Sequence, residues 1–216
     1  MTLTLSLVRH GQTRYNADHR LQGWCDSPLT ARGLAGVRST ADHLAARPFT
    51  AAYVSSSGRA QATAHEILGY HASPPTVTDP DLREFGFGDL EASPESDLIA
   101  RYDPDTMFTD VLRGTFPGIP GGETGPEFLA RVRAAFGRIE ANHGEGHVLV
   151  VSHGLTLRAY LTMIDPGPIL PLPNASISTV RVHADGHRQV ITIALDPAGH
   201  GVPDVIGASP TPALTF

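Results

Sequence analysis

The chain reads as an α/β protein: three α/β/α layers with a mostly parallel central sheet and a small inserted cap. Two observations predict this. Strand-like apolar runs alternate with stretches of helical periodicity along most of the chain, the pattern of β–α–β units joined by crossovers. Between residues 85 and 122 that alternation stops and the composition turns to Pro, Gly and acids, as in an insertion. The 216 residues suit a single domain spanning 1–216, with 85–122 as its cap.

Each element follows from local pattern. Leu3, Leu5 and Leu7 alternate with polar residues and run into Val8, a strand that stops at Arg9-His10-Gly11. Beyond a loop, Thr30 can cap a helix reaching to about residue 47, with Leu34, Val37, Ala41 and Leu44 on one face. Ala51-Ala52-Tyr53-Val54 is a short strand, followed by a Ser/Gly turn and a helix over 60–68. Thr76-Val77-Thr78 is a further strand bounded by prolines, and 95–102 is the one helical patch of the cap. Thr124-Gly125-Pro126-Glu127 is a capping box that starts a helix reaching to about residue 142. Residues 147–151 form a buried strand and 156–163 the helix after it. Residues 176–183 and 189–195 flank Asp185-Gly186, which predicts a two-residue hairpin. Residues 203–216 read as a loose tail, and no internal repeat is present.

Composition excludes several classes. A formal net charge of −6 argues against general binding to nucleic acid or an anionic membrane, so any anion site is local. The basic residues are all Arg, which reads as a compositional bias. The single Cys25 rules out an internal disulfide, and no Cys cluster suggests zinc. The start of the chain lacks a basic leader pattern and no apolar run is long enough to span a membrane, so a cytoplasmic protein is expected.

The chemistry lies in two strings, Leu7-Val8-Arg9-His10-Gly11-Gln12-Thr13 and Val150-Val151-Ser152-His153-Gly154. Each is an apolar run ending in a His-Gly turn, and in a parallel sheet ligands bind beyond the carboxyl ends of the strands. A neutral imidazole can attack phosphorus, and an adjacent guanidinium can hold phosphate oxygens in a fork. A second imidazole, if cationic, would neutralise charge on the same group.

Around these strings stand Arg14-Tyr15-Asn16, Leu21-Gln22-Gly23-Trp24, Ser27-Pro28-Leu29-Thr30, Arg59-Ala60-Gln61-Ala62-Thr63-Ala64, Leu82-Arg83-Glu84, Gly121-Gly122-Glu123 and Leu155-Thr156-Leu157-Arg158. The ordered set, over residues 3–165, resembles the histidine phosphatase superfamily, the phosphoglycerate-mutase-like fold. The resemblance implies that His10 is the nucleophile that becomes phosphohistidine. It implies that Arg9, Arg59 and His153 surround the nonbridging oxygens, with Asn16, Gln22 and Gly154 also at the phosphate. Glu84 would protonate the leaving alcohol and then deprotonate the attacking water, so it must carry a proton in the first step. No metal and no cofactor are implied, because three cationic groups take the role a metal has elsewhere. Ser57-Gly58 stands where the family usually has an apolar residue, which bears on the aim of Arg59.

The implied function is a metal-independent phosphatase acting on a small organic phosphomonoester. The alternatives are a phosphoglycerate-type mutase, and a non-hydrolytic or repurposed member of the family. A mutase needs several cations about its substrate, whereas 85–122 offers Arg101 and Arg113 against Asp89, Glu91, Glu95, Asp97, Asp103, Asp105 and Asp110. Phe85, Phe87, Phe108, Phe116, Tyr102 and Met107 form either an apolar wall for the leaving group or a core of the cap itself. His143 with His147, and His183 with His187, have a spacing of four off any helix and read as solvated. Cys25 reads as a small filler, and Arg14 as either a substrate contact or a surface group. The partner expected is the small-molecule substrate, with no nucleic acid and no membrane. No motif specifies a monomer or a homodimer.

Overall fold

In the computed structural model, which describes residues 2–167 and 171–199, the strands are β1 (Thr2–Arg9), β2 (Ala51–Ser55), β3 (Thr76–Asp79), β4 (Gly146–Ser152), β5 (Ile177–His183) and β6 (Arg188–Leu195). The sheet order is β3-β2-β4-β1-β5-β6. The pairs β3–β2, β2–β4 and β4–β1 are parallel, while β5 runs antiparallel to β1 and β6 antiparallel to β5. Seven helices are described: α1 (Arg14–Ala17), α2 (Ala31–Leu44), α3 (Gly58–Leu68), α4 (Glu95–Ile99), α5 (Pro104–Arg113), α6 (Gly125–Asn142) and α7 (Gly154–Ile164).

The alternation along β1 decides the layers. Leu3, Leu5 and Leu7 pack with Val148 and Val150 of β4 against Phe128, Val132 and Phe136 of α6 and Leu157 and Leu161 of α7. Val8 faces the other way and joins Leu149, Val151 and Val54 under Val37, Ala41 and Leu44 of α2 and Ala60, Ala64 and Ile67 of α3. β4 is buried on both faces, which is why it reads as a continuous apolar run. Each such side chain contributes roughly 1.5–3 kcal/mol by leaving water, so the two apolar layers hold the strand ends in register.

Several local expectations need correction. The segment 85–122 holds two helices, because Asp103 caps α5 through the Thr106 amide, Pro104 occupies its first turn and Gly114 ends it in the left-handed conformation. The loop after β1 contains the single turn α1, closed by a capping box between Thr13 and Asn16. The hairpin connection is three residues, not two: the Gly186 amide bonds the His183 carbonyl, Gly186 is left-handed at φ +83°, and the His183 amide bonds the His187 carbonyl. α2 stops at Leu44, α3 begins at Gly58 and α7 at Gly154. The expected tail at 203–216 lies outside the described residues.

Candidate active site

Four parallel strand ends meet at one edge of the sheet. Arg9 pairs with Ser152, Val54 with Val151, and Ser55 with Asp79, so β1, β4, β2 and β3 finish side by side. The next residues out are His10, His153, Ser57 with Arg59, and the turn leading to Glu84. Neighbouring strands are about 4.8 Å apart, which brings together two His-Gly turns far apart in sequence: their ring centroids lie 5.1 Å apart.

His10 is buried. Its Nδ1 lies 2.8 Å from the Gly11 carbonyl, an acceptor, so Nδ1 carries the proton and Nε2 holds the free electron pair. Burial first, and then the Arg59 and Arg9 guanidiniums, push the imidazole well below its usual value and keep it neutral, as a nucleophile requires. Arg9 bonds the Leu172 carbonyl through Nη1, and its buried Nε has no partner among the described residues. Burial lowers Arg9 to about 10, against the attraction of Glu84, and it stays cationic at neutral pH. A side chain at Gly154 would stand 3.4 Å from Arg9 Nε and 3.7 Å from a Glu84 carboxylate oxygen, so that glycine opens α7 between the two.

His153 departs from the expectation of a cation. Burial, then Arg59 and His10, push it well below its ordinary value, so the free protein holds it neutral. Its Nε2 lies 2.8 Å from the Ser55 hydroxyl and 3.4 Å from that of Ser57, and its buried Nδ1 has no partner among the described residues. The hydroxyl of Ser57, whose place in the family is usually apolar, therefore faces this ring.

Arg59, fully buried, is likewise not a free fork. Nη1 donates to the Cys25 carbonyl and to Asp26 at 3.0 Å, and Nη2 to the carbonyls of Gly23 and Gln22, leaving Nε without a partner among the described residues. A side chain at Gly58 would meet Asp26 at 2.4 Å; its absence lets that carboxylate also accept the Arg59 amide. The loop that aims Arg59 is held from 85–122: Glu91 accepts the amides of Gly23, Trp24, Cys25 and Phe87. Burial raises Glu91, but the Cys25 side chain and these amides bring it below its usual value. Cys25 is pushed up to about 12 by burial and by Glu91, an unreactive thiol.

Glu84 lies against the start of α7. Its carboxylate accepts the amides of Leu155 (2.9 Å), Thr156 (3.1 Å) and Phe85 (3.0 Å) and lies 3.2 Å from the Thr156 hydroxyl oxygen. Its backbone is held as firmly. Arg131 donates to the carbonyls of Asp81, Arg83 and Glu84 and pairs with Glu123 at 2.6 Å, while Ser152 and Thr156 donate to those of Leu82 and Arg83. The Trp24 indole N–H also bonds the Glu84 carbonyl, and the Arg83 guanidinium lies 4.2 Å over the exposed Trp24 ring.

Asn16 stands beside His10 through Asn174, whose Nδ2 donates to the His10 carbonyl at 3.1 Å and to Asn16 Oδ1 at 3.3 Å. Gln22 sits within its loop instead: it accepts the Thr13 hydroxyl and donates to Ser27 and Asp26. Phe85, Phe87, Phe116 and Met107 are buried in the main core, with Tyr102 and Phe108 packed against it, so they serve the core and not a wall for substrate. His143 and His147 are half-buried, each with a hydroxyl partner: they lie 3.0 Å from the Tyr53 hydroxyl and 2.8 Å from that of Ser6, and burial takes His147 down to about 4. Sequence reading missed Asn174, Asp26, Glu91, Arg131 and Ser55. Only their partners in space distinguish them.

The two histidines thus stand with Arg9 and Arg59 at the strand ends, and Arg9, Arg59 and His153 each keep one buried nitrogen with no partner among the described residues. Residues 5–193 match the family model of the histidine phosphatase superfamily, branch 1, and the chain belongs to that family. Among its relatives, the probable phosphoglycerate mutase GpmB of Proteus mirabilis is 35% identical over 184 residues, covering 82% of this chain and 84% of that protein. Among solved structures, YhfR of Bacillus stearothermophilus has a TM-score of 0.77 at 29% identity, over 89% of this chain and 97% of that one. A putative α-ribazole-5′-phosphate phosphatase of Escherichia coli has a TM-score of 0.76 at 26% identity, over 89% and 96%. The chain is thus an enzyme of a family whose members are phosphatases or mutases, and no helix among the described residues is long and apolar enough to cross a membrane.

Proposed function

We propose that the protein is a phosphatase that hydrolyses a small organic phosphomonoester without a metal. His10 Nε2 attacks phosphorus as the bond to the leaving oxygen breaks, and Glu84, protonated, gives that oxygen its proton. Water then attacks the phosphohistidine as Glu84 takes its proton back, the N–P bond breaks, and phosphate leaves with His10 regenerated. The observation that carries this reading is the trio of buried, unpartnered nitrogens of Arg9, Arg59 and His153 beside a neutral His10. Buried donors left unsatisfied cost about 1–3 kcal/mol each; a phosphoryl group on His10 would offer acceptors to the Arg9 and Arg59 Nε–H groups and, in the tautomer whose Nε2 accepts the Ser55 hydroxyl, to His153 Nδ1–H. In this reading 85–122 caps the leaving-group side, where Trp24 and Arg83 lie beside Glu84.

The mutase reading is favoured by the names of the sequence relatives. Against it stands the acidic excess of 85–122. One experiment separates the two: phosphate release from a panel of phosphomonoesters in EDTA, wild type beside His10→Ala, with phosphoglycerate isomers followed by phosphorus NMR. Release that depends on His10 supports the phosphatase. Migration of the phosphoryl group between hydroxyls with little release would replace it by a mutase. Release that persists in His10→Ala would overturn the assignment of the nucleophile.

A further inference from the structure

We propose that Asn174 is a positioning residue for phosphoryl transfer, acting through the side-chain amide of Asn16. The inference rests on the phosphoryl-transfer reading above and adds a residue to it.

The orientation of both amides follows from their partners. The Thr13 amide can only donate, and it meets Asn16 at 3.2 Å, so the atom it meets is Oδ1. The His10 carbonyl can only accept, so the Asn174 atom 3.1 Å away is Nδ2, which also donates to Asn16 Oδ1. With its oxygen taken by two donors, Asn16 must turn its Nδ2 away from them. No protein acceptor among the described residues takes those hydrogens. Asn174 ties this amide to the His10 carbonyl, and the Asn16 N–H groups can donate to a phosphate oxygen on His10. Without Asn174 the amide keeps one anchor, the Thr13 amide, and can swing.

Asn174 is itself held. The Ala175 amide donates to the carbonyls of Arg9 and His10, the Arg9 amide donates to the Ser176 carbonyl, and the Thr40 hydroxyl donates to the Ala175 carbonyl. Ala175 has φ +60°, a left-handed conformation that a residue with a side chain adopts at a cost of about 1–3 kcal/mol. The turn entering β5 is thus strained into place against the end of β1, and it carries Asn174 to the gap between His10 and Asn16.

The test is a double-mutant cycle with Asn16→Ala, Asn174→Ala and the combined variant, read as kcat/KM on the best substrate, as vanadate affinity by calorimetry, and as Tm. Asn174→Ala should lower kcat/KM and vanadate affinity about tenfold, the worth of one well-placed hydrogen bond. In the Asn16→Ala background the same change should have little further effect. Asn174→Asp places an acceptor against two acceptors, so its loss should be larger and should ease as pH falls and the carboxylate protonates. Should Asn174→Ala fail to fold, the near-isosteric Asn174→Asp carries the cycle. Effects that add in full would overturn the proposal, as would vanadate affinity unchanged in either Asn174 variant. A wild type that neither binds vanadate nor forms phosphohistidine would instead defeat the underlying reading.

Discussion

Replacing Gly33 by Ala sets two effects of opposite sign against each other. In the interior of a solvent-exposed helix the change stabilises by about 1 kcal/mol. On α2, however, the new Cβ would lie 2.0 Å from the Gln12 carbonyl oxygen and 2.8 Å from the Gln12 carbonyl carbon and amide nitrogen, whereas ordinary contact begins at 3.4 Å. Helix and loop must therefore part by about 1.4 Å, the difference between those two oxygen distances, and the obstacle is main chain with no rotamer to yield. The Gln12 carbonyl also accepts the Thr30 amide at 2.9 Å, so the start of α2 moves with it. Overpacking of this kind costs up to about 3 kcal/mol, which leaves a net loss of about 2 kcal/mol. For a chain this size that lowers Tm by about 4–8 °C. Gln12 lies two residues beyond His10, and misplacing a reacting group by about 1 Å costs on the order of 100-fold in rate. The assay is calorimetry together with kcat/KM on a His10-dependent substrate. Gly137→Ala is the control: that glycine lies within α6, and its Cβ would meet nothing within 4 Å. The control is expected to gain about 1 kcal/mol with unchanged activity. If Gly33→Ala behaves like the control, the contact between α2 and the turn after β1 does not position His10.

Two further outcomes are expected. Arg131→Met removes the clamp on the backbone that carries Glu84 and leaves Glu123 buried and unpaired, at a cost of about 3–5 kcal/mol. If Glu84 acts on the leaving oxygen as proposed, the rate loss should be tenfold or more on alkyl phosphates and slight on p-nitrophenyl phosphate; equal losses on both would refute the role. The second concerns pH. His10 and His153 have folded values below the usual one near 6.5, so below about 6.5 the unfolded chain binds more protons than the native one. Their stabilisation is present above that pH and is lost as pH falls, by at most about 1.4 kcal/mol per pH unit for each group. Tm should fall steeply below about pH 6.5, and His10→Asn and His153→Asn should each flatten the slope; variants as steep as the wild type would show that these rings titrate normally.

How legible each feature was depended on the range of the interaction behind it. The box at Thr124 and Glu127 stands before a long periodic segment and was readable; the same device at Thr13 and Asn16 serves a single turn, too short to show periodicity. α5 was hidden because Pro, Gly and acids read as irregular, although the Asp103-Pro104 start and the Gly114 stop are ordinary helix punctuation. Nothing local marks Asn174, in a stretch of prolines and without periodicity, as a neighbour of His10. Asp26 and Glu91 look like surface acids until Arg59 and the amides of Gly23, Trp24 and Cys25 are found against them.

By itself the sequence determined the order of the layers and the reactive groups available, since alternation along a strand and a His-Gly stop at its end are properties of contiguous residues. Which ring nitrogen is free, that both imidazoles are neutral, and that both terminal nitrogens of Arg59 are taken up by the loop at Gln22–Asp26 were decided only by tertiary structure. Desolvation and hydrogen bonding depend on what surrounds a group in space, and here the surroundings come from four strand ends and from the segments that pack across them.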